Sequence, residues 1–141
     1  MSSIEHVDAT TNRGKVEVGD DKGGFVVEVD HATAAVQVKG WGFWSVDVAS
    51  RFGECVMRAC QQDRRTRDMV MDMGSLKPMR DEGQDGLAQV IAALPALGIE
   101  AATIATLSQL TKLQVLRIVK ANDKAGRVRV VEGRAGSGWA R

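Results

Sequence analysis

The spacing of hydrophobic and polar positions changes along this chain, and the changes mark its elements. From Gly14 onward, Lys15-Val16-Glu17-Val18 alternates with a period of two, the pattern of a strand with one solvated face. Gly19 to Gly24 supplies turn residues, and Phe25-Val26-Val27-Glu28-Val29 resumes the alternation, so the two runs predict a hairpin. A second turn over Asp30 to Thr33 leads into Ala35-Val36-Gln37-Val38, a third short strand ending at Gly40.

Past the aromatic cluster Trp41, Phe43 and Trp44 the period lengthens. Ser45 is placed to cap a helix, and Val46, Ala49, Phe52, Val56, Ala59 and Cys60 recur at helical spacing as one buried stripe. Met69-Val70-Met71 is a short unbroken apolar run, as expected of a central strand covered by helices on both faces. Leu87, Val90, Ile91, Leu94 and Leu97 define a second helix, which Pro95 ends or kinks and Gly98 terminates with positive φ. Ala101 to Leu107 reads as a strand. Ser108 then caps a third helix whose stripe is Leu110, Leu113, Leu116 and Val119, and Val128 to Val131 forms the last strand.

Strands alternating with helices require right-handed crossovers and a largely parallel sheet, while the opening hairpins add antiparallel strands. The expected fold is therefore α/β: a mixed β-sheet with helices, parallel in its second half and antiparallel in its opening strands. Residues 1–13, polar and unpatterned, read as a flexible leader, 14–133 as the domain, and 134–141, rich in glycine, as a flexible tail.

A chain of 141 residues, 44% hydrophobic and 26% charged, is the size and balance of a single folded domain. Its 19 basic and 18 acidic side chains leave a charge of +1 with no basic stripe, so nucleic acid is not an expected partner. The densest basic run, Arg64-Arg65-Thr66-Arg67, is flanked by Asp63 and Asp68 and reads as a solvated helix end. No run approaches the roughly 18 apolar residues of a membrane span, and the first residues lack a signal-peptide pattern, so a cytoplasmic protein without membrane insertion is expected.

Catalytic chemistry has little to build on. His6 and His31 lie in the leader and in a turn, so they assemble no acid–base pair or metal cluster. Cys55 and Cys60, five apart on a helix, point apart and read as small hydrophobes. Gly23-Gly24 lacks the pattern of a phosphate-cradling loop. Asp81, Glu82 and Asp85 at a helix start are the usual residues of a capped helix. No catalytic residue, cofactor or metal is expected.

The order of elements, together with the strand Met69-Val70-Met71-Asp72-Met73-Gly74 and the stretch Arg80-Asp81-Glu82-Gly83 opening a helix, resembles the STAS domains of bacterial anti-sigma factor antagonists. The resemblance spans most of residues 25–131. It implies a regulatory module that binds another protein, whether a switch kinase, an anti-sigma factor or a scaffold. In phosphoregulated members a Ser or Thr in the loop accepts phosphate; Asp81 and Glu82 stand at the aligned positions here and put fixed negative charge there.

The surface expected to bind the partner therefore comprises Lys77, Arg80, Asp81, Glu82, Gly83, Gln84 and Asp85, with Trp41 and Trp44 as aromatic anchors if they are not core. Self-association is compatible with this reading. Rival readings are an accessory subunit of a lipid-transport or scaffold assembly, where STAS-like folds also occur, and a small ligand carrier or enzyme using the cleft near Asp72 and Leu107.

Overall fold

The computed structural model describes residues 5–7 and 15–133. In chain order the elements are β1 (Glu5–Val7), β2 (Val16–Asp20), β3 (Gly23–Asp30), β4 (Ala35–Gly42), α1 (Val46–Cys60), β5 (Asp68–Leu76), α2 (Asp81–Ala93), β6 (Ala101–Thr106), α3 (Gln109–Asn122) and β7 (Val128–Glu132). They form one seven-stranded sheet whose spatial order is the chain order. The pairs from β1 to β4 are antiparallel and those from β4 to β7 parallel, which is the mixed α/β arrangement expected. β1 lies within the stretch read as leader, where it pairs with β2 through Glu5 and Val18. Residues 134–141, read as a tail, lie outside the described residues.

The helices occupy a single face of the sheet. Crossovers of one hand that step always towards β7 place every helix on the same side, and α1 packs on α2 and α2 on α3. β5 is therefore not covered on both faces: Met69, Met71 and Met73 are buried under the helices, while Val70 and Asp72 on the other side are half-exposed. The apolar run misleads because Val70, an apolar side chain, occupies a half-solvated position. Phe25, Val27, Val36, Val38 and Ile104 from the sheet meet Phe52, Val56, Leu87 and Ile91 from the helices in one core. At the α1–α2 crossing Gly53 faces Gly86, and a Cβ at Gly53 would stand 3.2 Å from the Gly86 carbonyl oxygen.

Local signals act where the chemistry places them. The Ser45 hydroxyl accepts from the Val48 N–H and the Ser108 hydroxyl from the Thr111 N–H, each meeting an amide that the helix leaves unpaired. α2 ends at Ala93, short of the expected Leu94 and Leu97, and Gly98 adopts φ +79° at the close of the turns that follow it. Between the pairs Lys39–Asp72 and Trp41–Ser75, β5 carries one residue more than β4, and the Asp72 carboxylate accepts from the Gly74 N–H at 3.0 Å across this bulge.

α3 buries a different side from the one its leucines suggest. Thr111, Val115 and Ile118 enter the core, whereas Leu110, Leu113 and Leu116 are exposed. Thr111 is tolerated inside because its hydroxyl donates to the Leu76 carbonyl at 3.0 Å. In α1, likewise, Val46 is exposed and Val48 takes the buried place.

Candidate functional site

The carboxyl ends of β4, β5 and β6 lie along one rim, and three connections leave them there: Phe43 to Ser45, Lys77 to Arg80, and Leu107 to Ser108. The middle connection is held in place from several directions. The Lys77 N–H donates to the Gly42 carbonyl at 3.0 Å, tying the loop to the end of β4. Gln114 of α3 grips the Met79 peptide from both sides, its Oε1 accepting from the Met79 N–H at 2.7 Å and its Nε2 donating to the Met79 carbonyl at 3.0 Å. The Gln84 amide donates to the same carbonyl at 3.0 Å. Met79 itself is buried. The loop thus has a fixed backbone although its outer side chains are in solvent.

α2 begins at Asp81, and Arg80 holds the N-cap position without a side-chain capping bond. Asp81 and Glu82 are therefore first-turn residues and not caps, contrary to the expectation, and Gly83 lies inside the helix instead of opening it. Their carboxylates, with that of Asp85, stand exposed near the positive end of the helix dipole. Lys77 is exposed, its ammonium 5.6 Å from the centre of the Phe43 ring.

Of the residues expected to bind a partner, Lys77, Arg80, Asp81, Glu82 and Asp85 are thus gathered on one exposed edge. Gly83 and Trp44 are not on it. Gly83 is buried, and a Cβ there would meet Met79 and the Trp44 ring, each at 3.3 Å. Trp44 is 2% exposed, packs edge-on against Phe25 and tilted against Phe52, and donates its indole N–H to the Gly24 carbonyl at 2.8 Å. Gln84 is half-buried and serves the loop backbone, while also accepting from Arg117 at 3.3 Å.

Trp41 belongs to a different surface. It lies half-exposed on the helix-free face of the sheet, its indole N–H bonded to the Asp20 carbonyl at 2.8 Å, beside a hollow of about 530 Å³ that Lys15, Glu17, Asp20 and Lys39 help to line. The glycines beside it are required by close packing: a Cβ at Gly40 would meet Met73 and Trp44, and one at Gly42 would strike the Lys22 carbonyl.

Phe43, 61% exposed, is the solvent-facing aromatic of this rim; the sequence places it in the aromatic cluster with Trp41 and Trp44 as the expected anchors, and does not single out Gln114. Gln114 had a signal, an amide set between Leu113 and Leu116 of α3. Phe43 had none, since its two neighbours at Trp41 and Trp44 are of the same kind.

Elsewhere, Asp63 accepts from Arg65 at 3.0 and 3.1 Å and faces His31 Nδ1 at 2.9 Å, and the Arg65 guanidinium, then His31, holds its carboxyl well below the usual carboxylate range. Burial pushes the Cys60 thiol up to about 11. Among the described residues no three of His, Cys, Asp or Glu gather to hold a metal ion, and no helix is long and apolar enough to cross a membrane. No protein-family model matches the chain, and no curated protein matches it.

Proposed function

We propose that this protein is a docking module that acts by binding another protein, in the manner of an anti-sigma factor antagonist whose phosphoacceptor position holds a permanent carboxylate. The observation that supports this most is the loop before α2, whose backbone Gln114 and Gln84 hold while Lys77, Arg80, Asp81, Glu82 and Asp85 stand outside it in solvent. A charged edge already fixed in the free protein costs a partner little ordering entropy when it binds. Because Asp81 and Glu82 make no capping bond, their charge is left available to a partner, where it can set encounter rate and register. Phe43 beside Lys77 adds an apolar anchor to the same rim.

The test is quantitative affinity capture from the native cell extract with the wild-type chain and with Asp81→Ser/Glu82→Ala. The reading requires at least one protein enriched by the wild type and depleted at least tenfold, about 1.4 kcal/mol, with the double variant. Indistinguishable capture by two folded proteins would overturn it.

A further inference from the structure

α3 is apolar on two opposite sides. Thr111, Val115 and Ile118 enter the core, while Leu110, Leu113 and Leu116 on the opposite side are 64%, 59% and 41% exposed. Single exposed leucines are ordinary, but three at successive turns of one helix form the kind of patch that marks an interaction surface. The charge carried by the helix itself has one sign. Gln109–Asn122 carries Lys112, Arg117 and Lys120 and no carboxylate. Lys112 is neutralised by Glu132 at 3.2 Å. Arg117 reaches only the Gln84 amide, and neither it nor Lys120 makes an ion pair among the described residues. Arg117 follows Leu113 by four residues and Lys120 follows Leu116 by four, so both cations border the leucines.

We propose that the outer face of α3 is a docking site for an amphipathic helix of another protein, one that presents apolar residues at i, i+3 or i+4, and i+7 and carries carboxylates along their flanks. Charge selects this occupant. A second copy seated by two-fold symmetry on the same face would set Arg117 and Lys120 against themselves. Residues 134–141 contain Arg134 and Arg141 and no acid, which is the wrong sign to cover it. α3 also lacks the Trp or Phe that anchors a helix in a lipid interface. Arg117 at the border of this face bonds Gln84 of α2, but the three leucines and Lys120 belong to α3 alone, so this inference does not rest on the function proposed above.

The test uses a labelled synthetic amphipathic helix of about 18 residues, built from leucine, alanine and glutamate, and a twin with lysine for every glutamate. Both are titrated with the full chain by fluorescence anisotropy. The glutamate peptide is expected to bind at least tenfold tighter than its twin and to weaken as salt screens the contact. It should lose at least tenfold with Leu113→Ser/Leu116→Ser, whose melt stays near wild type because both side chains are exposed, and bind Asp81→Ser/Glu82→Ala unchanged. Equal affinity for the two peptides, or no binding, overturns the proposal. So does a dimer in sedimentation that the serine variant dissolves, which assigns the face to a second copy, or leucine-dependent binding to phosphatidylserine vesicles without peptide binding, which assigns it to lipid.

Discussion

The indole N–H of Trp44 donates to the carbonyl of Gly24 at 2.8 Å, which ties the start of α1 to β3 on the buried side of the sheet. Glycines make room for the ring. A Cβ at Gly40 would stand 3.0 Å from it and one at Gly83 3.3 Å, so β4, the connection to α1 and the first turn of α2 all close on one side chain. The exposed edge Lys77 to Asp85 is thus built upon a buried aromatic, and changes to Trp44 act on the edge through packing.

Replacing Trp44 separates its two contributions. Trp44→Phe keeps much of the ring and leaves the Gly24 carbonyl without its donor, an expected cost of about 1–3 kcal/mol. Trp44→Ala also opens a cavity between Phe25 and Phe52, and about 3–5 kcal/mol is expected. Urea unfolding of both variants checks the order. Equal stability of the alanine variant and the wild type would contradict the packing described.

The helix crossing gives a graded test. Gly53→Ala gains up to about 1 kcal/mol of helix propensity and loses a similar amount as its Cβ presses on the Gly86 carbonyl, so stability should stay within about 1 kcal/mol of wild type. Gly53→Val adds two methyl groups against backbone that cannot rotate away. Its melting temperature should fall by several degrees below that of the alanine variant.

Much of the fold was legible because its signals are local. The turn glycines, the caps Ser45 and Ser108, Gly98 after α2, and the alternation in β2 to β4 each act within a few residues of where they occur. What could not be read depends on distant partners. α3 offers two apolar stripes, and the buried one is decided by Thr111 finding the Leu76 carbonyl, 35 residues earlier in the chain. Phe43 and Trp44 are adjacent and alike; only Gly24, Gly40 and Gly83, brought together by the sheet and α2, determine which ring goes inside. In the candidate site, the charged residues were legible as a run. The grip of Gln114 on Met79 again spans 35 residues.

Cys60 makes stability sensitive to alkaline pH. Burial raises its thiol from the ordinary 9.0 to about 11, so the unfolded chain ionises first. This contribution is fully present below about pH 9 and is lost as pH rises towards 11. The stability difference between wild type and Cys60→Ala should therefore shrink between pH 8.5 and 10.5, as read by paired urea titrations (pH values chosen to bracket that window). In the folded protein Cys60 should react with a thiol reagent at pH 8 far more slowly than in urea, because the thiolate is the reacting form.

Asp81→Ser/Glu82→Ala should leave the fold nearly untouched. Neither carboxylate makes a capping bond, and exposed charge near a helix N-terminus contributes about 0.3–1 kcal/mol. The melting temperature should fall by only a few degrees and less so in high salt, which screens the dipole interaction. A loss of cooperative unfolding would mean that these residues hold α2 in place and would remove them as candidates for a contact surface.

Gln114 is expected to control the loop before α2 without forming part of its exposed edge. Its amide both accepts from and donates to the Met79 peptide, so Gln114→Ala leaves a part-buried N–H without its acceptor, at an expected cost of about 1–3 kcal/mol. The Met79 carbonyl keeps the Gln84 donor, so the loop should loosen and not collapse. Gln114→Glu divides the effect, since a carboxylate still accepts from the Met79 N–H and cannot donate to its carbonyl. Native-state hydrogen exchange reads this directly. The Met79 amide should exchange at least tenfold faster in the alanine variant and closer to the wild-type rate in the glutamate variant, while amides of β5 away from the rim change only with global stability. If the loop's fixed backbone is what makes the charged edge ready to bind, the alanine variant should also bind the partner captured through Asp81 and Glu82 more weakly, although no contacting side chain has been altered. Faster Met79 exchange with unchanged affinity would separate the two and leave the charges as sufficient without the fixed loop.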